Sequence, residues 1–425
     1  MNQADRALLR QLFDAAVAAV APAVCLPGHL PAAATAGGGR TVVVGAGKAA
    51  AAMAAVTAAA LPAAAGLVVT RYGHGVAETG SIEVVEAAHP VPDAAGRRAA
   101  GRMLELVQGL GADDQVICLL SGGGSALLVA PAAGLTLEDK QAVTGALLRS
   151  GASIGEINCL RKHLSALKGG RLATAAHPAA VLTLAISDVA GDDPATIASG
   201  PTVADPTTFA QARAVLQKYA IEPPPAVAAH LAAAREETPK ALDPRLVRAR
   251  TVIVAGAGSA LAAAARQAEA AGYQARVLGN DIEGDSTTIA REHARLALEV
   301  RDAGQRLALL SGGETTVTIR GSGQGGPNAE YVLALALALD GAAGIAALAA
   351  DSDGIDGSAD NAGAICLPDT LARARAAGLD AEGHLANNDS YGFFAALGDL
   401  VMSGPTRTNV NDFRAILVAP EGGGG

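Results

Sequence analysis

Aromatic residues are nearly missing from this chain. They make up 2% of its 425 residues, and tryptophan is absent altogether. Recognition of single-stranded nucleic acid needs aromatic platforms for base stacking, so that class of partner is disfavoured. Positive charge is also scarce: 32 Lys and Arg stand against 41 Asp and Glu, a formal net charge of −9, with no basic block. Nucleic acid is therefore not an expected partner. The four cysteines, Cys25, Cys118, Cys159 and Cys366, are scattered and form no C-x-x-C pair. Such spacing disfavours a zinc site or a disulfide framework and suits buried thiols in a reducing cytoplasm. The opening M-N-Q-A-D-R carries charge and no apolar core, so no signal peptide is read. One uncharged stretch, 49–69, is mostly alanine and is interrupted by Pro62 and Gly66. It reads as a helix, a turn and a strand rather than a membrane span.

What the chain does have is Ala, Val, Leu and Ile, enough to make half of it apolar. At this length two domains are expected. Apolar spacing predicts a helix over 3–21. Strands follow at 41–45, 66–70, 82–86, 115–120 and 180–186, alternating with helices near 48–60, 94–109, 136–150 and 156–175. Alternation of this kind predicts an α/β fold, mainly parallel sheets flanked by helices. The run E-P-P-P-A at 222–226 and the polar stretch 237–250 read as connections. A boundary near 240–250 divides an N-terminal domain, 1–240, from a C-terminal one, 245–425. The second half repeats the scheme: strands 251–255, 274–278, 306–310, 344–349 and 413–418, a short one at 315–320, and helices 259–271, 285–303 and 328–339. A Gly-rich turn at 37–39 and a frayed tail at 422–425 complete the expectation.

Four strands run straight into glycines. The turns are G-A-G-K at 45–48, S-G-G-G-S at 121–125, G-A-G-S at 256–259 and S-G-G-E at 311–314. A buried strand that ends in glycines before a helix exposes backbone N–H groups, which bind anions. G-A-G-K-A-A at 45–50 has two readings. It fits the dinucleotide fingerprint G-x-G-x-x-A, with Arg71 where an acid would bind a ribose and therefore suited to a 2′-phosphate. It also fits a phosphate turn in which Lys48 supplies a point charge; a plain tight turn is the bland alternative. In 121–125, three glycines allow close approach to an oxyanion, and Ser121 and Ser125 add hydroxyls. Glu314 is a candidate metal ligand, a brace for a lysine, or a surface carboxylate.

Arg161, Lys162 and His163 stand in a row, and on a helix they point three ways. With Lys168 and Arg171 extending a basic surface, they form a candidate clamp for carboxylate or phosphate. I-S-D-V-A-G-D-D-P at 186–194 sets Asp188, Asp192 and Asp193 at the carboxyl end of a strand, where open α/β sheets bind ligands. A turn with an Asp helix cap is the alternative there. D-S-D-G-I-D-G at 351–357 lacks the spacing of a calcium loop.

Together these segments resemble the type-2 glycerate kinase family, also known as the tartrate-utilisation or MOFRL family. The likeness rests on V-V-G-A-G-K, H-P-V-P-D, L-L-S-G-G-G-S-A-L, I-N-C-L-R-K-H-L-S-A-L-K-G-G-R-L-A and I-S-D-V-A-G-D-D-P-A-T-I-A-S-G-P-T. Further along it rests on L-L-S-G-G-E-T-T-V, S-D-G-I-D-G-S-A-D-N-A-G-A, N-N-D-S-Y-G-F-F and G-P-T-R-T-N-V-N-D. It implies two α/β domains with the site in the cleft between them, and transfer of phosphate from ATP, with Mg2+, to O2 of D-glycerate. By the same resemblance Lys48 contacts phosphate and Arg161 takes the glycerate carboxylate. Asp188 and Asp193 act at the acceptor hydroxyl. Gly45, Gly47, Ser121, Gly122, Gly123, Gly124, Ser125, Gly312, Gly313 and Asn328 line nucleotide or substrate, and Asp192 and Glu314 hold the metal. One departure stands out: Pro327, in G-G-P-N-A-E, occupies a place where the family carries a basic residue, so either another cation such as Lys48 or Arg407 supplies that charge or this member is weaker or altered.

Two other functions are weighed. An NAD(P)H-dependent hydroxypyruvate reductase would use the G-A-G-K-A-A turn and Arg71 for its cofactor. A non-catalytic glycerate or nucleotide sensor would explain Pro327 but not the retained Lys48, Asp188 and Glu314. The expected partners are small molecules, with no membrane, and nothing in the composition excludes a homo-oligomer.

Overall fold

The computed structural model describes residues 2–32 and 38–420. Gly37 of the expected 37–39 turn and the expected tail at 422–425 lie outside them. Two compact units are present, Pro22–Val254 and Met1–Ala21 joined by Ala255–Gly425. This differs from the expected 1–240 and 245–425 at both ends of the first domain.

The first unit carries β1 (Thr41–Ala46), β2 (Ala65–Arg71), β3 (Ser81–Ala87), β4 (Gln115–Leu120), β5 (Ala180–Ile186) and β6 (Ala249–Ala255) in one sheet of order β3-β2-β1-β4-β5-β6. The pairs β1–β2, β1–β4, β2–β3 and β4–β5 are parallel. β6 is the strand expected to open the second domain; it instead forms the edge of the first sheet. Alternate residues of β1 (Val42, Val44 and Ala46) share a core with Met103 and Val107 of the helix Ala94–Val107. Helix starts here are written in the sequence. Thr136 with Asp139, Ser153 with Glu156 and Thr208 with Gln211 each form a reciprocal capping box. The expected helix 156–175 is two, Ile154–His163 and Arg171–Ala176, because Gly169 and Gly170 both adopt positive φ between them. The prolines at 223–225 start a helix, Pro225–Ala233, rather than forming only a connection.

In the second unit the strands are β7 (Gln274–Gly279), β8 (Gly284–Asp285), β9 (Leu307–Gly313), β10 (Thr315–Thr316), β11 (Ile345–Asp351), β12 (Gly363–Cys366), β13 (Leu400–Val401) and β14 (Asp412–Val418). The main sheet runs β13-β12-β11-β14-β9-β7. Only β7–β9 is parallel in it; β14 lies antiparallel between β11 and β9. The expected strand 315–320 shrinks to β10, which pairs with β8. The N-terminal helix Asn2–Ala19 belongs to this unit because its apolar face (Leu9, Leu12, Phe13 and Ala16) is buried, with the Phe13 and Phe413 rings 6.1 Å apart. The fold class is therefore α/β as expected, with a parallel first sheet and a mixed second one.

Candidate active site

In the first sheet the strand order reverses direction between β1 and β4. Open α/β sheets bind ligands at the carboxyl ends of the strands flanking such a point. G-A-G-K follows β1 and S-G-G-G-S follows β4, so the two glycine turns meet there. Their contact is intimate. A Cβ on Gly47 would come within 2.1 Å of Ser121 Oγ, and one on Gly124 within 3.0 Å of Ala46 O.

The backbone of the 45–50 turn is used internally. Gly47 N–H donates to Val69 O (3.0 Å), Lys48 N–H to Gly122 O (2.8 Å) and Ala50 N–H to Gly47 O (3.1 Å). Ala49 N–H donates to Ser121 Oγ at 2.9 Å. A pyrophosphate cradle needs these donors open. What this turn can offer an anion is the half-buried Lys48 side chain. Ser121 is buried and braces the turn through its bond from Ala49. Gly122 and Gly123 use their N–H groups in none of these bonds, and Gly123 needs its positive φ of 78°.

The aspartate loop after β5 separates into unlike groups. Asp193 is exposed, and its carboxylate accepts from Ala195 N–H (3.0 Å) and Thr196 Oγ1 (2.8 Å). It caps its own turn, the arrangement of the cap reading. Asp188 and Asp192 are half-buried. The basic row also divides. Lys162 is buried against Asp205 at 3.2 Å, and buried His163 faces Glu237 at 2.8 Å. Arg161 alone of the three has no acidic partner among the described residues; its Nη1 reaches the Asn158 Oδ1 at 3.5 Å. Lys168, expected on a basic surface, is 1% exposed.

In the second unit, Gly312 and Gly313 end β9, and at Gly313 the backbone of Ile282 leaves no room for a side chain: a Cβ there would meet it at 2.3 Å. Glu314 is exposed. Asn328 is fully buried; its Nδ2 donates to Asp412 Oδ1 (2.7 Å) and Asp356 Oδ1 (3.3 Å). Asp412 also takes Arg414 and the Thr315 N–H (3.0 Å). Asn328 thus belongs to a buried charged network. Sequence reasoning missed Asp356, Asp412 and Arg414, whose only sign was membership of long motifs. Pro327 has a structural account. It occupies the first turn of the helix Pro327–Leu339, where a missing N–H costs nothing, and Gly326 before it lies too close to Asp356 to carry a side chain. Asn388 braces the preceding loop, accepting from the N–H groups of Arg320 (2.6 Å) and Gly321 (3.0 Å) and donating to Glu330 Oε2 (2.8 Å).

Among the described residues, no group of three or more His, Cys, Asp or Glu could hold a metal ion. No single described helix is long and apolar enough to cross a membrane.

Comparison with known proteins agrees with this architecture. Residues 8–232 match the model of a domain of unknown function, DUF4147, and residues 307–412 match the MOFRL family. The chain is 41% identical to a D-glycerate 2-kinase of Thermotoga maritima, over 82% of each protein. It is 52% identical to an Agrobacterium vitis protein named "Putative hydroxypyruvate reductase", over 97% of this chain and 94% of that one. A solved glycerate kinase from Thermotoga maritima superposes with a TM-score of 0.88 at 37% identity, covering 98% of this chain and 100% of that one. The chain belongs to the type-2 glycerate kinase, or MOFRL, family.

Proposed function

We propose that this protein transfers the γ-phosphoryl group of ATP to O2 of D-glycerate, forming 2-phosphoglycerate. The observation that carries the proposal is full-length likeness to a solved glycerate kinase. The G-A-G-K turn supports it: its backbone donors are consumed, and its cation is a lysine side chain. Phosphoryl transfer needs little covalent help from the protein. It needs positioning and stabilisation of charge spreading over the transferred group. Lys48 is assigned to that charge. Asp188 is assigned to orient the acceptor hydroxyl and take its proton. Arg161 is assigned to the carboxylate of the acid. Asp192 and Glu314 are the proposed magnesium ligands; the bound ion would neutralise phosphate charge.

The reductase has two observations in its favour. One is the name of the Agrobacterium vitis relative. The other is the first sheet's strand order, which dinucleotide-binding folds share. Strand order alone does not decide chemistry. The occupied N–H groups at 47–50 count against a pyrophosphate there. Phosphorus NMR on a mixture of protein, ATP, magnesium and D-glycerate tests the proposal. A new phosphomonoester coupled to the C2 proton is expected. Coupling to the C3 protons, or no new resonance, would refute it.

A further inference from the structure

Two buried lysines and a half-buried arginine cluster behind the S-G-G-G-S loop, and among the described residues none has a carboxylate partner. Lys140 Nζ donates to Leu164 O at 3.0 Å. Lys168 Nζ donates to Ser125 O (2.9 Å) and Ala198 O (3.3 Å). Arg161 meets only the neutral Asn158 oxygen. Burial lowers all three: Lys140 to about 7 and Lys168 well below the ordinary lysine range, with Arg161 repelling both. A half-buried guanidinium beside two buried ammonium groups, with no counter-ion among the described residues, is an arrangement that an incoming anion would stabilise.

Beside this cluster the backbone is strained. Ala198, Ser199 and Gly200 take φ of 50°, 59° and 58° in succession, a left-handed run that two of these residues adopt only under constraint. The run turns the buried Ser199 hydroxyl toward Asn158 Oδ1, to which it donates at 3.2 Å, and toward Ser125 Oγ. One hydroxyl and a guanidinium therefore converge on one amide oxygen, and the Ser125 hydroxyl lies against that of Ser199.

We propose that Ser125, Ser199 and Arg161 form the receptor for the substrate's carboxylate, with Asn158 holding their donors in place. Lys168 is a positioning residue: its ammonium or amine ties the end of the glycine loop to the strained turn. D-glycerate as the acid rests on the kinase reading. The carboxylate itself does not, because hydroxypyruvate carries it too.

Asn158→Asp tests the receptor. The variant keeps the accepting oxygen, pairs with Arg161 and places a negative charge where the carboxylate would sit. Calorimetric titration of the full chain with D-glycerate and with hydroxypyruvate reads the outcome, alongside the KM for ATP. A purely structural cluster predicts unchanged affinity and a thermal midpoint at or above that of the parent. The receptor predicts the same midpoint, an unchanged KM for ATP, and acid binding weakened by ~10-fold or more. Ser199→Ala, which removes one hydroxyl and adds no charge, should weaken both acids several-fold and serves if the first variant does not fold. Lys168→Met should raise the KM for the acid with that for ATP unchanged. Unaltered acid binding in Asn158→Asp and Ser199→Ala overturns the receptor even if the parent phosphorylates glycerate. Hydroxypyruvate binding that is lost in these variants, in a parent that ignores D-glycerate, upholds the receptor and refutes the kinase. A parent that binds neither acid refutes the receptor.

Discussion

The Asp356 carboxylate caps a helix that does not contain it: Oδ1 accepts from Asn328 N–H at 3.0 Å and Oδ2 from Ala329 N–H at 2.8 Å. Gly326, the residue that would ordinarily cap the helix, has no side chain to do so. Two otherwise orphaned donors are satisfied by a loop supplied from the end of β11.

Asp356→Ala leaves both donors buried and unmatched. The expected cost is about 2–4 kcal/mol of stability, measured by urea unfolding at neutral pH. The pH dependence has a definite sign. Burial pushes the Asp356 carboxyl from 3.8 up to about 7, with Asp412 adding to the push and the two N–H donors opposing it. Across that window the folded protein holds a proton the unfolded chain has released, so this group's contribution falls as pH rises from about 4 to about 7. Asp356→Asn should flatten that slope; an unchanged slope would show that Asp356 does not titrate there.

Asp205→Ala should be among the most damaging substitutions in the first unit. Asp205 is fully buried, pairs with Lys162, and accepts from Thr207 Oγ1 (2.8 Å) and Thr238 Oγ1 (3.0 Å). Removing it strands a buried ammonium, at a cost of about 3–5 kcal/mol. Denaturant unfolding that shows a loss under 1 kcal/mol would contradict the inferred burial of the pair.

Lys48→Ala should fold normally, since the turn around it is held by backbone bonds and Ser121. Turnover should drop ~100-fold or more, the scale of removing one preorganised stabiliser of developing charge. Near-normal turnover would remove Lys48 from the mechanism.

The aspartates near the end of β5 should behave differently from one another. Asp193→Ala removes a turn cap and should cost roughly 1 kcal/mol of stability, with turnover changed only a few-fold. Asp188→Asn should lower turnover by ~100-fold or more if it is the group acting on the acceptor hydroxyl. Steady-state rates for the two variants under identical conditions decide; equal effects would contradict the assignment.

The first sheet was legible because its strands read as apolar runs alternating with helices, β1 and β4 running on into glycines, and capping boxes mark several helix starts. Lys48 was legible for the same reason: it sits one residue past a strand-to-glycine turn. Other features depended on distance in space. The N-terminal helix and β14 come from opposite ends of the chain, so no local pattern could pair them. β10 and β13 are two residues each, too short to carry a period. Lys168 looked like surface charge because burial of a lysine is decided by the loops around it. The same holds for Ser199, whose importance comes from a left-handed turn that its residue type does not advertise. Pro327 looked like a lost cation; the structure adds that it suits the first turn of its helix.

Phosphorylation at O2 is the property on which every assigned role depends. The direct measurement couples the purified protein, D-glycerate, ATP and magnesium to enolase, which accepts 2-phosphoglycerate and not its 3-phosphate isomer. The account predicts phosphoenolpyruvate formation that requires ATP and magnesium and that Lys48→Ala abolishes. Silence in that assay, together with NADPH oxidation when hydroxypyruvate is added, would contradict it and make Lys48 and Arg71 cofactor contacts.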